Sequence, residues 1–245
     1  MKTISLIKNK ELIQQIDFET GSTPEVYWTL NELENGTEVT WGMRGKSSFS
    51  EKAYWLTQGG IEKNMKPMYQ RGLELLETHL TKEMENYSIN YKGIVEHGGG
   101  YYISQTITCK NEEAPYKMDI LFQNITKYMK ENQIISSGKP FTLNHSIDFE
   151  NNTVTFAACL PVKEKIETND ELIEINYLKP QKAFKINFKG SYKFLPESWP
   201  LFYKTLIEQG YTPIKKGYSF EIGTINPSDT PNPANWLTEI YIPIN

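Results

Sequence analysis

Two acids and a phenol near the C-terminus, Glu221, Glu239 and Tyr241, are the candidates for a charged or reactive site. Glu239 and Tyr241 lie two apart in a strand-like run from Thr238 to Ile244, so their side chains share one face. A carboxylate in a cleft poor in water attracts a cation with little competition, and an aromatic neighbour adds about 0.5 to 2 kcal/mol by cation–π contact. The same groups allow a second chemistry, with the carboxylate as general base on a water and the phenol donating to a developing anion. Two residues on one strand face stand about 7 Å apart, so the pair need not touch. Walls for such a cleft are available in Tyr102, Tyr192, Trp199, Tyr203, Trp236 and Tyr241. Trp236 follows the proline-rich loop 226–235, and inserted loops often rim a site.

Other chemistries find little support. His79, His97 and His145 lack metal-ligand spacing, and Cys109 and Cys159 read as small buried hydrophobes, so neither a metal nor a cofactor is expected. Gly98-Gly99-Gly100 has no following Lys-Ser/Thr and opens no helix, so it reads as a turn between strands and not as a phosphate cradle. No serine sits in a triad-like setting. A net charge of −4 with scattered lysines argues against nucleic acid as a direct partner. The first residues lack the apolar run of a signal peptide, and no stretch approaches the roughly 20 apolar residues of a membrane span. The expectation is a soluble, cytoplasmic protein with a small-molecule partner.

These residues belong to a stretch built of two copies, 86–163 and 164–245, each running strand, strand, helix, glycine turn, strand, strand. Gly138-Lys139-Pro140-Phe141 recurs as Gly217-Tyr218-Ser219-Phe220, and Cys159-Leu160-Pro161-Val162 as Tyr241-Ile242-Pro243-Ile244. The extra length of the second copy falls in the 226–235 loop. Each helix carries an apolar stripe for one face of a sheet: Met118, Leu121, Phe122, Ile125 and Met129 in the first, Trp199, Phe202, Tyr203, Leu206 and Ile207 in the second. Strand parity then assigns Phe156, Ala158 and Leu160, with Ile240 and Ile242, to the helix side, leaving Ala157 and Cys159 opposite Glu239 and Tyr241 on the uncovered side. The same sorting puts Phe141 and Phe220 on the covered side, with Thr142 and Glu221 uncovered. Copy two thus has acids where copy one has small neutral groups, and a duplication lets one half serve as control for the other.

Residues 1–85 have a different grammar: strands around Thr3–Ile7, Leu12–Phe18, Val26–Asn31 and Thr37–Met43, with an Asn35-Gly36 hairpin signal. Ser48-Phe49-Ser50-Glu51 fits a capping box, Gly59-Gly60 a break, and 62–85 a long helix of about 35 Å at 1.5 Å per residue. The hairpin Gly36 to Trp41, with Gly45 and the helical run Arg71 to Glu77, resembles the C-terminal part of a START-like, polyketide-cyclase-like (SRPBCC) helix-grip domain. The leading strand and helices of that family do not appear in the sequence, so a truncated form or an incomplete sheet is expected there.

The duplicated part resembles the GyrI-like (gyrase-inhibitor-like) effector-binding family, through Gly190-Ser191-Tyr192, Trp199, Tyr203, Tyr218-Ser219-Phe220-Glu221 and Thr238 to Pro243. That resemblance implies an α+β fold: a duplicated β-β-α-β-β (SHS2-like) pseudo-twofold domain with a concave antiparallel sheet and two helices on its back. To this is added an N-terminal antiparallel sheet fragment with a long helix, a partial helix-grip. It implies an aromatic-walled pocket on the concave face that holds an acid for amphipathic cations, in a stand-alone sensor or sequestering domain without a helix-turn-helix. Ligand-binding residues would be Glu239, Glu221, Tyr241, Trp236, Tyr102, Tyr192, Trp199 and Tyr203. Some relatives hydrolyse cyclopropane-bearing natural products with a glutamate and a tyrosine, and Glu239 with Tyr241 would be catalytic in that alternative.

Overall fold

A computed structural model describes residues 1–17, 22–34, 36–148, 150–214 and 218–245. Asn35 of the hairpin signal and Gly217 of the second glycine turn lie outside the described residues. The chain packs as two units, Met1–Thr81 and Lys82–Asn245.

In the first unit, β1 (Lys2–Ile7), β2 (Glu11–Gln15), β3 (Glu25–Leu33) and β4 (Gly36–Arg44) form an antiparallel sheet in sequence order. Helix α1 (Phe49–Thr57) starts at the expected capping box, with the Glu51 amide donating to Ser48 Oγ at 3.2 Å and the Ser48 amide to Glu51 Oε2 at 2.8 Å. Helix α2 (Ile61–Met84) lies on the sheet through Tyr69, edge-on to Trp41 at 5.0 Å, while Trp41 stacks on Trp28 at 4.6 Å. Gly72 is required at this crossing because any Cβ would collide with the Trp41 ring.

The second unit is an eight-stranded antiparallel sheet carrying α3 (Ala114–Glu131) and α4 (Leu195–Glu208). Copy one contributes β5 (Ser88–His97), β6 (Gly100–Lys110), β7 (Phe141–Asp148) and β8 (Thr153–Val162). Copy two contributes β9 (Glu174–Leu178), β10 (Gln181–Lys189), β11 (Ser219–Ile225) and β12 (Leu237–Pro243). The spatial order is β5-β10-β12-β11-β7-β8-β6-β9. Each copy's leading strand is therefore exchanged: β5 pairs with β10 of copy two and β9 with β6 of copy one. Because Gly98 and Gly99 alone join β5 to β6, the sheet must curl until its two ends meet. They meet at Gly99, φ +68°, where an added Cβ would strike the carbonyl oxygen of Leu178, the last residue of β9 before its turn into β10.

Two apolar layers fill the convex side. Helix α3 buries Leu121, Ile125 and Met129 against Ile103, Phe156, Ala158 and Leu160, and α4 buries Leu195, Phe202 and Leu206 against Phe184, Ile186, Ile240 and Ile242. The α4 stripe is narrower than the sequence suggested, since Tyr203 and Ile207 are exposed and Ser198, held to the Phe194 carbonyl at 2.7 Å, completes the buried row. The concave side has its own core of Tyr102, Phe141, Leu143, Ala157, Cys159, Ala183, Phe220 and Tyr241. Both cysteines are buried free thiols.

That third cluster corrects the strand parity. Phe141 pairs with Cys159, and Phe220 with Tyr241, so both phenylalanines share the concave face with their partners. Glu221 pairs with Ile240 and Thr142 with Ala158, which puts Glu221 and Thr142 on the helix side. The expectation that Phe141 and Phe220 face the helices is reversed. Laterally paired residues of neighbouring strands project to the same side, and register, which the sequence does not display, decides which residues are paired.

Candidate functional site

The candidate residues fall on two faces instead of one. On the helix side are Glu221, Tyr192, Trp199, Tyr203 and Trp236; on the concave side are Glu239, Tyr241 and Tyr102.

Glu221 stands on β11 at the seam where the two copies join, β11 against β7, with Thr142 as its lateral neighbour. Asn144 of copy one donates to its Oε1 at 3.0 Å, and the Trp199 indole of copy two donates to the same carboxylate. Among the described residues it forms no salt bridge. Desolvation raises its pKa above the ordinary value, the two neutral hydrogen bonds opposing this without cancelling it. Aromatic groups gather beside it: Trp199 lies 5.9 Å from Tyr203, and Tyr192 lies 4.8 Å from Trp236, whose indole is fixed by the Thr230 carbonyl at 2.8 Å. Tyr192 is pushed up to about 12, first by burial and then by the charges of Glu221, Asp229 and Asp119. The α3 residue Asp119 therefore brings copy one's helix to the same place. Copy one also supplies Met118, whose sulfur accepts from Thr142 Oγ1 at 3.5 Å. Among the described residues, then, this acid has no cationic partner, and it is flanked by indole and phenol rings of copy two and by Asn144 of copy one.

Glu239 is differently situated. Lys185 Nζ meets its Oε1 at 2.7 Å, Tyr241 donates to its Oε2 at 2.7 Å, and the ammonium sits 5.2 Å from the centre of the Tyr241 ring. The chain thus supplies its own cation to this acid and ring. Glu239 and Tyr241 do touch, although strand spacing alone left them apart. Desolvation pushes the Glu239 carboxyl up, but the Lys185 and Tyr241 hydrogen bonds and the charges of Lys185 and Lys139 outweigh it and hold the pKa below the ordinary value. Tyr241 stacks on Phe220 at 4.7 Å, and Tyr102 packs edge-on to Phe141 at 5.3 Å, with burial driving its phenol pKa upward.

Sequence reasoning missed Lys185, Asn144 and Asp119. Lys185 was within reach of the duplication: β6 pairs Ser104 with Cys159 and Thr106 with Ala157, as β10 pairs Lys185 with Tyr241 and Asn187 with Glu239. Ser104 is thus the counterpart of Lys185, and copy one shows that the scaffold does not need this ion pair. The consequence is a test. Lys185→Met should destabilise the domain by about 1–2 kcal/mol, less than the 3–5 typical of a fully buried pair, because both partners keep about a fifth of their exposure. Lys185→Ser with Glu239→Ala, which copies repeat one, should lose less than the single substitution by chemical denaturation. The depressed Glu239 pKa contributes stability present above the unfolded carboxylate value and lost as pH falls, so the Lys185→Met difference should shrink on acidification.

Among the described residues no group of three or more metal-ligating side chains converges, and no helix is long and apolar enough to cross a membrane. No curated protein matches the sequence. Among solved structures, the chain resembles the EcmrR–DNA complex, seen by cryo-electron microscopy, at 17% identity and a TM-score of 0.55, over 82% of this chain and 73% of that one. The crystal structure of the EcmrR C-terminal domain matches at 17% identity and a TM-score of 0.53, over 65% of this chain and 98% of that one. At such identities the likeness is one of fold. The model of the GyrI-like small molecule binding domain matches residues 101–245, which contain Glu221, its aromatic neighbours and the Lys185–Glu239–Tyr241 network. By that match, which spans more than half of its length, the chain belongs to the GyrI-like small-molecule binding domain family.

Proposed function

We propose that this domain reversibly binds an amphipathic aromatic cation in the groove between its two repeats, on the helix side of the sheet, as an effector-binding or sequestering module. The observation that carries the reading is Glu221: a desolvated carboxylate at the inter-repeat seam, held by neutral donors and faced by rings of Trp199 and Tyr192. Burying a carboxylate without a counter-charge is costly, and a bound cation relieves that cost. Copy one supplies Asn144, Asp119 and Met118, and copy two supplies the acid and the aromatic walls.

The hydrolase alternative draws on Glu239 and Tyr241. Their hydrogen bond gives the pair a defined geometry, but Lys185 reduces the basicity that a general base needs. A thermal-shift series tests the binding reading. An aromatic ammonium should raise the melting temperature in a dose-dependent way while its neutral alcohol analogue does not, since a ligand that binds only the native state stabilises it by mass action. An equal response to both would overturn it.

A further inference from the structure

The strand that carries Glu221 has a glycine two residues on, Gly223, on the same helix-side face. A Cβ built there meets only the Tyr192 hydroxyl at 3.6 Å and Asn226 Cβ at 4.0 Å, so a methyl-sized space lies open beside the carboxylate. Its lateral partner is Thr238, which projects to that same side with Ile240 and Ile242. Thr238 is 3% exposed, and its hydroxyl has no hydrogen-bond partner among the described residues. The Tyr192 hydroxyl likewise makes no hydrogen bond among the described residues, though its ring is held by Trp236. A buried hydroxyl left unpaired costs about 1–3 kcal/mol, so an orphan at this place calls for a partner.

We infer that the gap over Gly223 is a subsite for a protonated amine bearing N–H groups, which donate to Glu221, Thr238 Oγ1 and Tyr192 Oη. This rests on the proposed role of Glu221 and narrows its ligand class. All three oxygens can accept, and an ammonium, with several donors and no acceptor, matches that set. A quaternary centre carries the same charge but has no N–H to give, and its methyl groups exceed the space. The pocket therefore discriminates by hydrogen bonding where charge and ring stacking alone would not.

Calorimetry with 2-naphthylethylammonium, its N,N,N-trimethyl counterpart and neutral 2-naphthylethanol tests this. The intact protein should prefer the primary ammonium over the trimethyl ion by about tenfold, the worth of one to two hydrogen bonds. Gly223→Ala, which fills the space, and Thr238→Val, which removes the acceptor, should each bring that ratio close to one. A ratio near one in the intact protein, or one that survives both substitutions, would overturn the subsite. In that event the role of Glu221 stands if both ions outbind the alcohol, and if neither does, the binding reading falls as well.

Discussion

Replacing Glu221 with glutamine is expected to weaken an aromatic cation by about a hundredfold, the range for truncating a charge contact in a desolvated site, while a neutral isostere changes little. Glutamine keeps the shape and can still accept from Trp199, so the loss would report charge. The sign of the pH dependence follows from the direction of the shift. Burial raises the Glu221 pKa, so the carboxylate takes up a proton at higher pH than an ordinary glutamate and cation affinity should begin to fall earlier on acidification. The Glu221→Gln protein should lose that limb of the profile. A raised folded-state pKa also means that this group's contribution to stability is greatest below the unfolded value and is lost as pH rises. At neutral pH the glutamine variant should melt no lower than the parent. A variant that melts much lower and binds cation and isostere equally poorly would place Glu221 in the scaffold instead of the site.

The second large effect is expected at Gly99. Its φ of +68° belongs to the left-handed region, which costs a non-glycine residue about 1–2 kcal/mol. The added methyl would also strike the Leu178 carbonyl, a backbone atom fixed by the β6–β9 ladder that cannot rotate away. Gly99→Ala should therefore lower stability by about 3 kcal/mol, the two costs acting together. Gly98→Ala, one residue earlier, meets nothing within 4 Å and should be close to neutral by the same denaturant titration. Similar losses in both would mean that the turn, and not the meeting of the two connections, sets the requirement.

Much of the fold was legible because periodicity and punctuation agree locally. The capping box at Ser48, the break at Gly59-Gly60, both repeat helices and the last strand of each copy sit where their patterns put them. The faces of β7 and β11 were not legible, for a physical reason. Hydrophobicity marks the core side of a sheet only when the other side is wet. Here both sides are packed, with Phe141 and Phe220 filling the concave cluster as Ile240 and Phe156 fill the helix layers. Apolar residues alone then carry no arrow, and only the lateral pairs, Phe220 with Tyr241 and Glu221 with Ile240, supply one. The site inherited that ambiguity: its residue types were identifiable, but the set was divided between two faces. Charge was the better guide where a control existed, since Ala157 and Ser104 mark Glu239 and Lys185 as additions to a scaffold that folds without them.

The exchange of leading strands also governs how this domain must be made. Residue Ser88 finds its partner at Lys189, and Gly100 finds Leu178, so the two outer ladders join residues 101 and 78 positions apart in sequence. Loop closure over such distances precedes any gain from pairing, which favours slow folding. Copy one emerging from a ribosome has nothing to receive β5 and nothing to protect the outer edge of β6. Both remain exposed until copy two has been synthesised, and an open edge strand of that kind is a template for wrong partners. The seam between β7 and β11 is thus assembled last, after both halves have been made.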